Sequence, residues 1–205
     1  MTTAEPSPSR HVALEEFLAT DPHAFGARYE IVDGLVVHAM AQSPAHDRVV
    51  RRLADALERA IDPDGPCREV NSDTPVRLAD GGSVDASRRL NVRFPDVMVR
   101  DCSEPYDAAT VASGALLVVE VTSEGTIDAD TTIKRRLYAR AGIPTYLIVY
   151  FDKDWETISE VEELRLDWSG VRYAPYQVHR DALVLTQPVS LAVTFTDLQR
   201  RLPRQ

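Results

Sequence analysis

The chain has 205 residues, a length that suits one domain with its own core and is short for two. Its net charge of −9 argues against a protein that coats nucleic acid non-specifically, because such proteins are usually basic. No apolar stretch approaches the roughly 20 residues of a membrane helix, and the first ten residues lack the apolar core of an export signal. We therefore expect a disordered polar tail over residues 1–10, one domain over residues 11–205, no membrane partner and a cytoplasmic location.

Two cysteines, Cys67 and Cys102, occur without a CxxC spacing or paired histidines, so the sequence does not indicate a zinc site. A disulfide between them stays open at this stage. A reducing cytoplasm is the simplest assumption, because nothing in the sequence suggests secretion.

The first half of the chain has clear helix and turn signals. Asp33-Gly34 between two apolar runs indicates a hairpin, because these residues accept the positive φ of a tight turn. Ser43 as N-cap and Pro44 at the first helical position mark the start of a helix. In chain order we predict a helix over 11–20, a hairpin over 29–37, a helix over 43–61, a strand over 69–76, an exposed loop over 79–89 and a strand over 92–99.

The second half of the chain contains the predicted strand Leu116–Val121, which is apolar on both faces except for Glu120 and should be central. A helix and a second central strand follow, an arrangement typical of a right-handed crossover between parallel strands. We predict a helix over 128–141, strands over 145–151, 160–167, 171–178 and 182–186, and a helix over 196–202. The expected fold class is α/β, a mixed sheet flanked by helices, with N-terminal and C-terminal β-hairpins.

Glu120 is the most informative residue, because it is a carboxylate inside an apolar strand. Removing its charge from water is costly unless the group is paired, protonated, metal-bound or placed at the open end of the strand. A buried salt bridge to an arginine or lysine is the simplest explanation for Glu120 taken alone.

Asp96 is a second acid inside an apolar segment, next to Pro95, which suits a strand edge or bulge. Taken alone, Asp96 is explained by a turn or a cap. If its strand neighbours the strand of Glu120, both carboxylates can point to one Mg²⁺ ion, which uses one or two protein carboxylates and keeps several waters.

Lys134 lies four residues after Asp130 on the predicted helix, so the two side chains share a helical face. A surface ion pair is the simpler explanation for this spacing. The functional alternative is a lysine that stabilises charge developing on a phosphoryl group or positions the attacking water. Phosphate-loop, dinucleotide and serine-hydrolase functions are not indicated, because GxxxxGK[ST], GxGxxG and GxSxG are all missing from the sequence.

Several short segments follow one another in a recognisable order. They are Tyr29–Gly34, Ser43-Pro44 with His46, Phe94-Pro95-Asp96, Leu116–Ser123, Asp130 with Lys134 and Tyr138, and Ala141–Pro144 with Tyr146. The ordered set resembles the Uma-two family of restriction endonucleases, a branch of the PD-(D/E)XK nuclease superfamily. The resemblance implies a restriction-endonuclease-like core and a phosphodiester site that depends on Mg²⁺ (or Mn²⁺).

The resemblance also implies roles for particular residues. By position, Asp96 matches the Asp of the PD motif and Glu120 matches the acid of the second motif. Lys134 matches the lysine that this branch places on the following helix, and Thr122 stands where the superfamily usually has its lysine. The expected catalytic residues are Asp96, Glu120 and Lys134, and the expected metal ligands are Asp96, Glu120 and the backbone carbonyl of Val121.

Three further residues could support this site. Glu30 and His46 match positions that the family usually keeps, and Asp130 could hold Lys134 in place. The simpler explanations are a solvent-facing glutamate at Glu30, whose side chain points opposite to its neighbours, and a structural histidine at His46.

The sequence departs from the family pattern in one segment. The family commonly reads Gly-Val-Pro-Glu-Tyr-Trp, then an apolar pair and Asp, whereas Gly142–Tyr150 lacks the Glu, the Trp and the Asp. These positions look like packing or rim positions, so their loss bears on substrate handling more than on the core chemistry.

Three functions remain open from the sequence. The first is an Mg²⁺-dependent endonuclease acting on DNA, for which a homodimer with two sites would suit the cutting of two strands. The second is a nucleic-acid-binding or regulatory module that keeps the fold without turnover. The third is a structural protein whose acids form buried ion pairs.

Overall fold

The structure, a computed structural model, describes residues 11–20, 29–38, 42–78, 90–103 and 112–201. The predicted tail over 1–10 and the predicted loop over 79–89 lie outside the described residues. The helices are α1 Leu14–Ala19, α2 Pro44–Arg59, α3 Arg135–Arg140 and α4 Phe195–Gln199, with a 3₁₀ turn over Ala112–Gly114 and a π-helical turn over Ala129–Lys134. The strands are β1 Tyr29–Val32, β2 Leu35–His38, β3 Arg68–Asn71, β4 Val76–Arg77, β5 Val92–Arg93, β6 Val97–Asp101, β7 Ala115–Val121, β8 Thr145–Phe151, β9 Ile158–Leu166, β10 Tyr173–His179, β11 Ala182–Leu185 and β12 Leu191–Thr194.

A six-stranded sheet with strand order β10-β9-β8-β7-β6-β3 forms the centre of the protein. Strands β7 and β8 are parallel, in register from Leu117 opposite Thr145 to Val121 opposite Val149. The other neighbouring pairs in this sheet are antiparallel. The π-helical turn and α3 connect the two parallel strands, which need a connection of this length. The mixed sheet predicted from the sequence is therefore confirmed.

Strand β7 is buried on both faces, which explains its nearly continuous apolar sequence. Leu117, Val119 and Val121 pack on one face in the same cluster as residues of α2 and α4. Val118 packs on the other face in a cluster that includes residues of α3. Because side chains alternate along a strand, Glu120 shares the face of Val118 and lies on the side of α3.

A smaller sheet with strand order β2-β1-β5-β4 contains the predicted N-terminal hairpin. Strands β1 and β2 are antiparallel, and their turn has φ of 50° at Asp33 and 83° at Gly34, as a tight hairpin turn requires. Ile31 of β1 pairs with Val92 of β5. The hairpin is thereby joined to the segment that immediately precedes Asp96.

The C-terminal part contains the predicted hairpin of β9 and β10, which are antiparallel. Strand β11 pairs with β12, a strand that was not predicted from the sequence, in a separate two-stranded sheet. The final helix is α4, which begins one residue before the predicted 196–202 and ends three residues earlier.

Two predicted strands are wrong as single elements. The strand expected over 92–99 divides into β5 and β6, which belong to different sheets. Pro95 lies at this division and has no N–H to donate to a ladder, so the chain leaves one sheet and enters the next there. The strand expected over 69–76 divides in the same way into β3 and β4. Asp96 therefore lies at the junction of the two sheets rather than inside a strand.

Cys67 and Cys102 form a disulfide, the pairing that the sequence left open. The bond joins the residue before β3 to the residue after β6, so it holds the edge strand β3 to the large sheet. Structural disulfides are typical of oxidising compartments, so the cytoplasmic location stays a prediction. Among the described helices, none has the length and apolar character needed to cross a lipid bilayer.

Helix α2 begins with the predicted cap. Oγ of Ser43 accepts a hydrogen bond from the backbone N–H of His46 at 3.1 Å, and Pro44 occupies the first helical position. The cap matters for the site described below, because it holds the helix turn that contains His46.

Replacing Ser43 with alanine should lower the free energy of unfolding by about 1 kcal/mol, since a first-turn N–H loses its acceptor. Urea denaturation followed by circular dichroism measures this change. The exposed Ser72 provides a matched control, and Ser72→Ala should change the stability by less than about 0.5 kcal/mol. Equal losses in the two variants would contradict the role of the cap.

Candidate active site

Glu120 lies near the C-terminal end of β7 and is only 3% exposed. Its Oε2 atom accepts a hydrogen bond from Nζ of Lys134 at 2.8 Å. Its Oε1 atom accepts a hydrogen bond from the hydroxyl of Tyr138 at 2.6 Å. The buried carboxylate is thus paired with a lysine, and this lysine is the one that the sequence analysis assigned to the site.

Lys134 reaches Glu120 from the π-helical turn that follows β7. Asp130 and Lys134 are both buried in this turn, and Nζ of Lys134 lies 3.1 Å from Oδ1 of Asp130. Oε1 of Glu30, on β1, lies 3.5 Å from the same nitrogen. One ammonium group therefore contacts three carboxylates that come from β1, β7 and the π-helical turn. Such turns are frequent at functional sites.

Asp96 is held next to the end of β7. Its Oδ2 atom accepts a hydrogen bond from the backbone N–H of Val121 at 2.8 Å and lies 3.2 Å from Nε2 of His46. No described residue donates a hydrogen bond to Oδ1 of Asp96, and 19% of the side chain is exposed. Since Val121 directly follows Glu120, the two acids are neighbours, and Asp96 is the one that solvent reaches.

The cluster contains more acids than bases. Its carboxylates are those of Glu30, Asp96, Glu120 and Asp130, its permanent cations are Lys134 and Arg93, and His46 beside Asp96 adds a positive charge when it is protonated. With all the acids ionised, the excess is two negative charges when His46 is neutral and one when it is protonated. Because closely spaced carboxylates oppose one another's ionisation, such a cluster favours proton uptake or a bound cation.

Burial and neighbouring charges shift the pKa values in this cluster. Burial raises the pKa of Glu120 well above the ordinary glutamate range, and the Lys134 ammonium acts in the opposite direction. Burial likewise raises the pKa of Asp130, again opposed by Lys134, and the Asp96 charge adds to both increases. Burial alone would lower the pKa of Lys134, but the carboxylates of Glu120, Asp130 and Glu30 outweigh it and raise that pKa.

His46 is buried in the first turn of α2, with its ring against Asp96. Burial alone would lower the pKa of His46, but the hydrogen bond and charge of Asp96, together with Asp47, raise it above the ordinary histidine value. The histidine expected as a supporting residue therefore contacts Asp96, one of the three expected metal ligands.

Glu30 also reaches the cluster, where its two carboxylate oxygens contact two different cations. Its Oε2 atom accepts a hydrogen bond from Arg93 at 2.7 Å, while Oε1 faces Lys134. The structure does not bring Thr122 into the cluster, because its buried hydroxyl donates to the backbone carbonyl of Val149 at 3.0 Å. Thr122, expected as a supporting residue, therefore does not contribute its side chain to the cluster.

Two residues of the cluster were not assigned to the site from the sequence. Tyr138 entered only as part of the family resemblance, and Arg93 was given no role. The spacing of Tyr138 contained a usable signal, because it lies four residues after Lys134 and therefore one turn along the same helical face. Arg93 had no such signal, since its contact with Glu30 depends on the pairing of β1 with β5.

The donor types fit Mg²⁺ or Mn²⁺, which take oxygen ligands and need only one or two carboxylates with several waters. Asp96 and Glu120 supply two neighbouring carboxylates, and the carbonyl of Val121 follows Glu120 in the chain. Within the described ranges, no three His, Cys, Asp or Glu side chains are gathered as a metal-binding group. A cation at this position would therefore rest on two carboxylates, the Val121 carbonyl and water.

Comparison with solved structures places the chain among nuclease-like α/β folds. It is similar to the crystal structure, at 1.96 Å resolution, of a protein from Anabaena variabilis ATCC 29413 described as "a putative nuclease belonging to DUF820". The TM-score is 0.64, the sequence identity is 15%, and the match covers 91% of this chain and 97% of the other. At this identity the likeness establishes the fold and nothing further.

The family follows from the sequence itself. The family model described as "Uma2: Putative restriction endonuclease" matches residues 14–200, and the chain belongs to this family. The resemblance stated from the ordered segments is confirmed, and so is the restriction-endonuclease-like fold class. No curated protein is similar enough to the chain to match it.

Replacing Lys134 with methionine should destabilise the protein by about 3–5 kcal/mol, because it leaves buried carboxylates without their cation. Chemical denaturation in the presence of EDTA measures the loss. Arg180→Met removes the cation of the exposed pair with Glu160 and should cost less than about 1 kcal/mol. A Lys134→Met loss as small as that of the control would show that the cluster is not energetically coupled.

The stability of Lys134→Met should also rise as the pH falls from neutral toward the ordinary carboxyl range. Burial raises the pKa of Glu120 and Asp130, and removal of the ammonium increases both shifts. The folded state then binds protons that the unfolded chain releases, so stability falls as the pH rises. Denaturation of Lys134→Met and wild type at several pH values in this range measures how the free energy of unfolding changes with pH. If acidification lowers the stability of Lys134→Met more than that of wild type, the prediction is wrong.

Proposed function

We propose that this protein is a divalent-cation-dependent endonuclease that hydrolyses phosphodiester bonds in DNA with Mg²⁺ or Mn²⁺ as its cofactor. The observation that supports this proposal most strongly is the convergence of the three residues expected from the sequence. Nζ of Lys134 lies 2.8 Å from Oε2 of Glu120. Oδ2 of Asp96 accepts a hydrogen bond from the backbone N–H of Val121, the residue after Glu120. Membership of a family described as restriction endonucleases supports the reaction class.

Asp96, Glu120 and the backbone carbonyl of Val121 would hold the cation. When bound, a divalent cation polarises a phosphate oxygen and lowers the pKa of a bound water. Asp96 is the residue that admits the cation in this proposal, because its carboxylate is partly exposed and its Oδ1 atom has no partner among the described residues. Glu120 then supplies a second oxygen ligand from a buried position.

Lys134 provides a fixed positive charge next to the reacting phosphate. Because the surrounding carboxylates raise its pKa, the amine stays protonated at neutral pH and does not serve as a base. Its role is therefore to neutralise charge in the transition state or to orient the attacking water through an N–H donor. Asp130 and Glu30 hold the ammonium in place at 3.1 Å and 3.5 Å.

His46 would fix the orientation of Asp96. Its Nε2 atom lies 3.2 Å from Oδ2 of that residue, the oxygen that also binds the Val121 N–H. With this oxygen held by two donors, the other oxygen of Asp96 is left for a cation or a water.

A second candidate function is a nucleic-acid-binding or regulatory module with little or no turnover. It is favoured by the engagement of both Glu120 oxygens with Lys134 and Tyr138. It is also favoured by the lack of a three-ligand group in the described part of the chain. Such a protein would bind DNA without cutting it.

We also keep two proposals from the sequence, a homodimer and a cytoplasmic location. A homodimer would place two sites on the two strands of a duplex, and light scattering on the purified protein measures its mass in solution. Fractionation of cells that express the tagged protein tests the location, and recovery outside the cytoplasm would agree with the Cys67–Cys102 disulfide instead.

The endonuclease proposal predicts that Asp96→Ala, Glu120→Gln and Lys134→Met each reduce cation-dependent nicking of a supercoiled plasmid by about 100-fold or more. Calorimetry with Mn²⁺ should show that Asp96→Ala and Glu120→Gln bind the cation weakly, because each loses a charged ligand. Asp55→Ala removes an exposed acid on α2 and should nick like wild type. Single-stranded DNA and RNA in parallel reactions define the substrate.

Three outcomes separate the candidates. Wild-type nicking that needs the cation and is lost in the three variants supports the endonuclease. DNA binding with no nicking by wild type supports the non-cleaving module. Wild-type activity in all three variants would overturn the site.

A further inference from the structure

Tyr138 contacts a proposed metal ligand but has no role in the proposed function. The side chain is fully buried on α3, and its hydroxyl donates a 2.6 Å hydrogen bond to Oε1 of Glu120. The ring packs edge-to-face against Tyr146, with centroids 5.2 Å apart. The hydroxyl thus contacts Glu120, a proposed metal ligand, on the buried face of the sheet that α3 covers.

The two proposed ligands are held in the same manner. One oxygen of Asp96 accepts a hydrogen bond from the backbone N–H of Val121, and one oxygen of Glu120 accepts a hydrogen bond from Tyr138. In both cases an uncharged donor adds to a contact with a cationic or titratable side chain, Lys134 at Glu120 and His46 at Asp96. Because the uncharged donor adds no positive charge, it helps to fix the carboxylate without further competition with a cation.

We propose that Tyr138 is a positioning residue that fixes Glu120 for cation binding and thereby sets the affinity of the site for Mg²⁺ or Mn²⁺. This inference rests on the proposed function, because it assumes that Asp96 and Glu120 are the ligands. Hydrogen-bonded partners of metal ligands commonly have this effect, and their loss typically weakens metal affinity by about 10- to 100-fold.

The hydroxyl does not exclude a cation from Glu120. An ionised carboxylate has about four lone-pair positions on its two oxygens. Tyr138 uses one of them and Lys134 uses another, so acceptor capacity remains on the carboxylate. Without the hydroxyl, Glu120 would keep the hydrogen bond from Lys134 but lose the one to its other oxygen, so the carboxylate plane would be less restricted and would have to be ordered again when the cation binds.

Tyr173 offers a matched control for the removal of a buried hydroxyl. It is buried against the same aromatic residue, with its ring centroid 5.7 Å from that of Tyr146. Its hydroxyl donates to the backbone carbonyl of Ile143 at 2.7 Å and contacts none of the four acids of the cluster. Tyr138→Phe and Tyr173→Phe therefore remove the same group from similar surroundings, and only the first removes a contact to Glu120.

The test compares Mn²⁺ binding to the full-length wild type, Tyr138→Phe and Tyr173→Phe by calorimetry, with thermal unfolding of each metal-free protein. We expect Tyr138→Phe to bind Mn²⁺ about 10- to 100-fold more weakly than wild type. Tyr173→Phe should bind Mn²⁺ like wild type, although both variants lose thermal stability. A purely structural role for Tyr138 would lower the melting temperature without changing the affinity.

The outcomes separate this inference from the function on which it rests. If wild type binds Mn²⁺ and Asp96→Ala does not, but Tyr138→Phe binds as tightly as wild type or more tightly, the positioning role is overturned alone. If wild type does not bind Mn²⁺, the proposed cofactor fails, and the positioning role fails with it.

A second measurement covers the case in which Tyr138→Phe does not fold. Incorporation of 3-fluorotyrosine at position 138 keeps the hydroxyl and adds a fluorine resonance next to Glu120. We expect this resonance to shift during a titration with Mg²⁺, while the same label at position 173 stays unchanged. A label at position 138 that does not respond while calorimetry shows Mg²⁺ binding would overturn the inference.

Discussion

The buried ion pair between Lys134 and Glu120 is the interaction on which the rest of the site depends. Each ion loses several kcal/mol of solvation when it is buried, so neither would be stable at this depth without the other and without further hydrogen bonds. The surrounding structure supplies these bonds through Tyr138 to Glu120 and through Asp130 to Lys134. The π-helical turn after β7 places the amine and Asp130 together, so the unusual helix geometry and the ion pair form one feature.

The junction between the two sheets positions the other acids of the site. The chain leaves the small sheet after β5 and enters the large sheet at β6, and Asp96 lies between them. Glu30 reaches the same place from β1, and His46 reaches it from α2. Acids from separate elements therefore meet in one cluster, with more negative charge than Lys134 and Arg93 balance. This excess favours either proton uptake or a bound cation, and it is one reason for the proposed divalent cation.

Family membership and the geometry of the cluster both support the proposed class of chemistry. The family model matches residues 14–200. The structure of 15% sequence identity shows the shared fold. The three family residues that are lost correspond to Thr145, Leu147 and Tyr150, which all lie on β8. Thr145 and Leu147 are buried, and Leu147 packs with residues of α2 and α4 on the face of the sheet opposite Glu120. Tyr146, where the family residue is kept, reaches the cluster, since its hydroxyl donates a hydrogen bond to the backbone carbonyl of Asp130 at 3.0 Å.

The sequence by itself determined the central elements and the three main residues of the candidate site. The apolar run of β7 requires burial on both faces, the Asp33-Gly34 turn requires a hairpin, and a carboxylate in β7 requires a partner. Only the tertiary structure decided where one predicted strand divides at Pro95, that Cys67 and Cys102 pair, and that Tyr138 and Arg93 contact the acids. Local patterns determine burial and turns because those depend on neighbouring residues. Contacts between β1, α2, β7 and α3 depend on how distant segments pack, and that information is not contained in any one stretch of the chain.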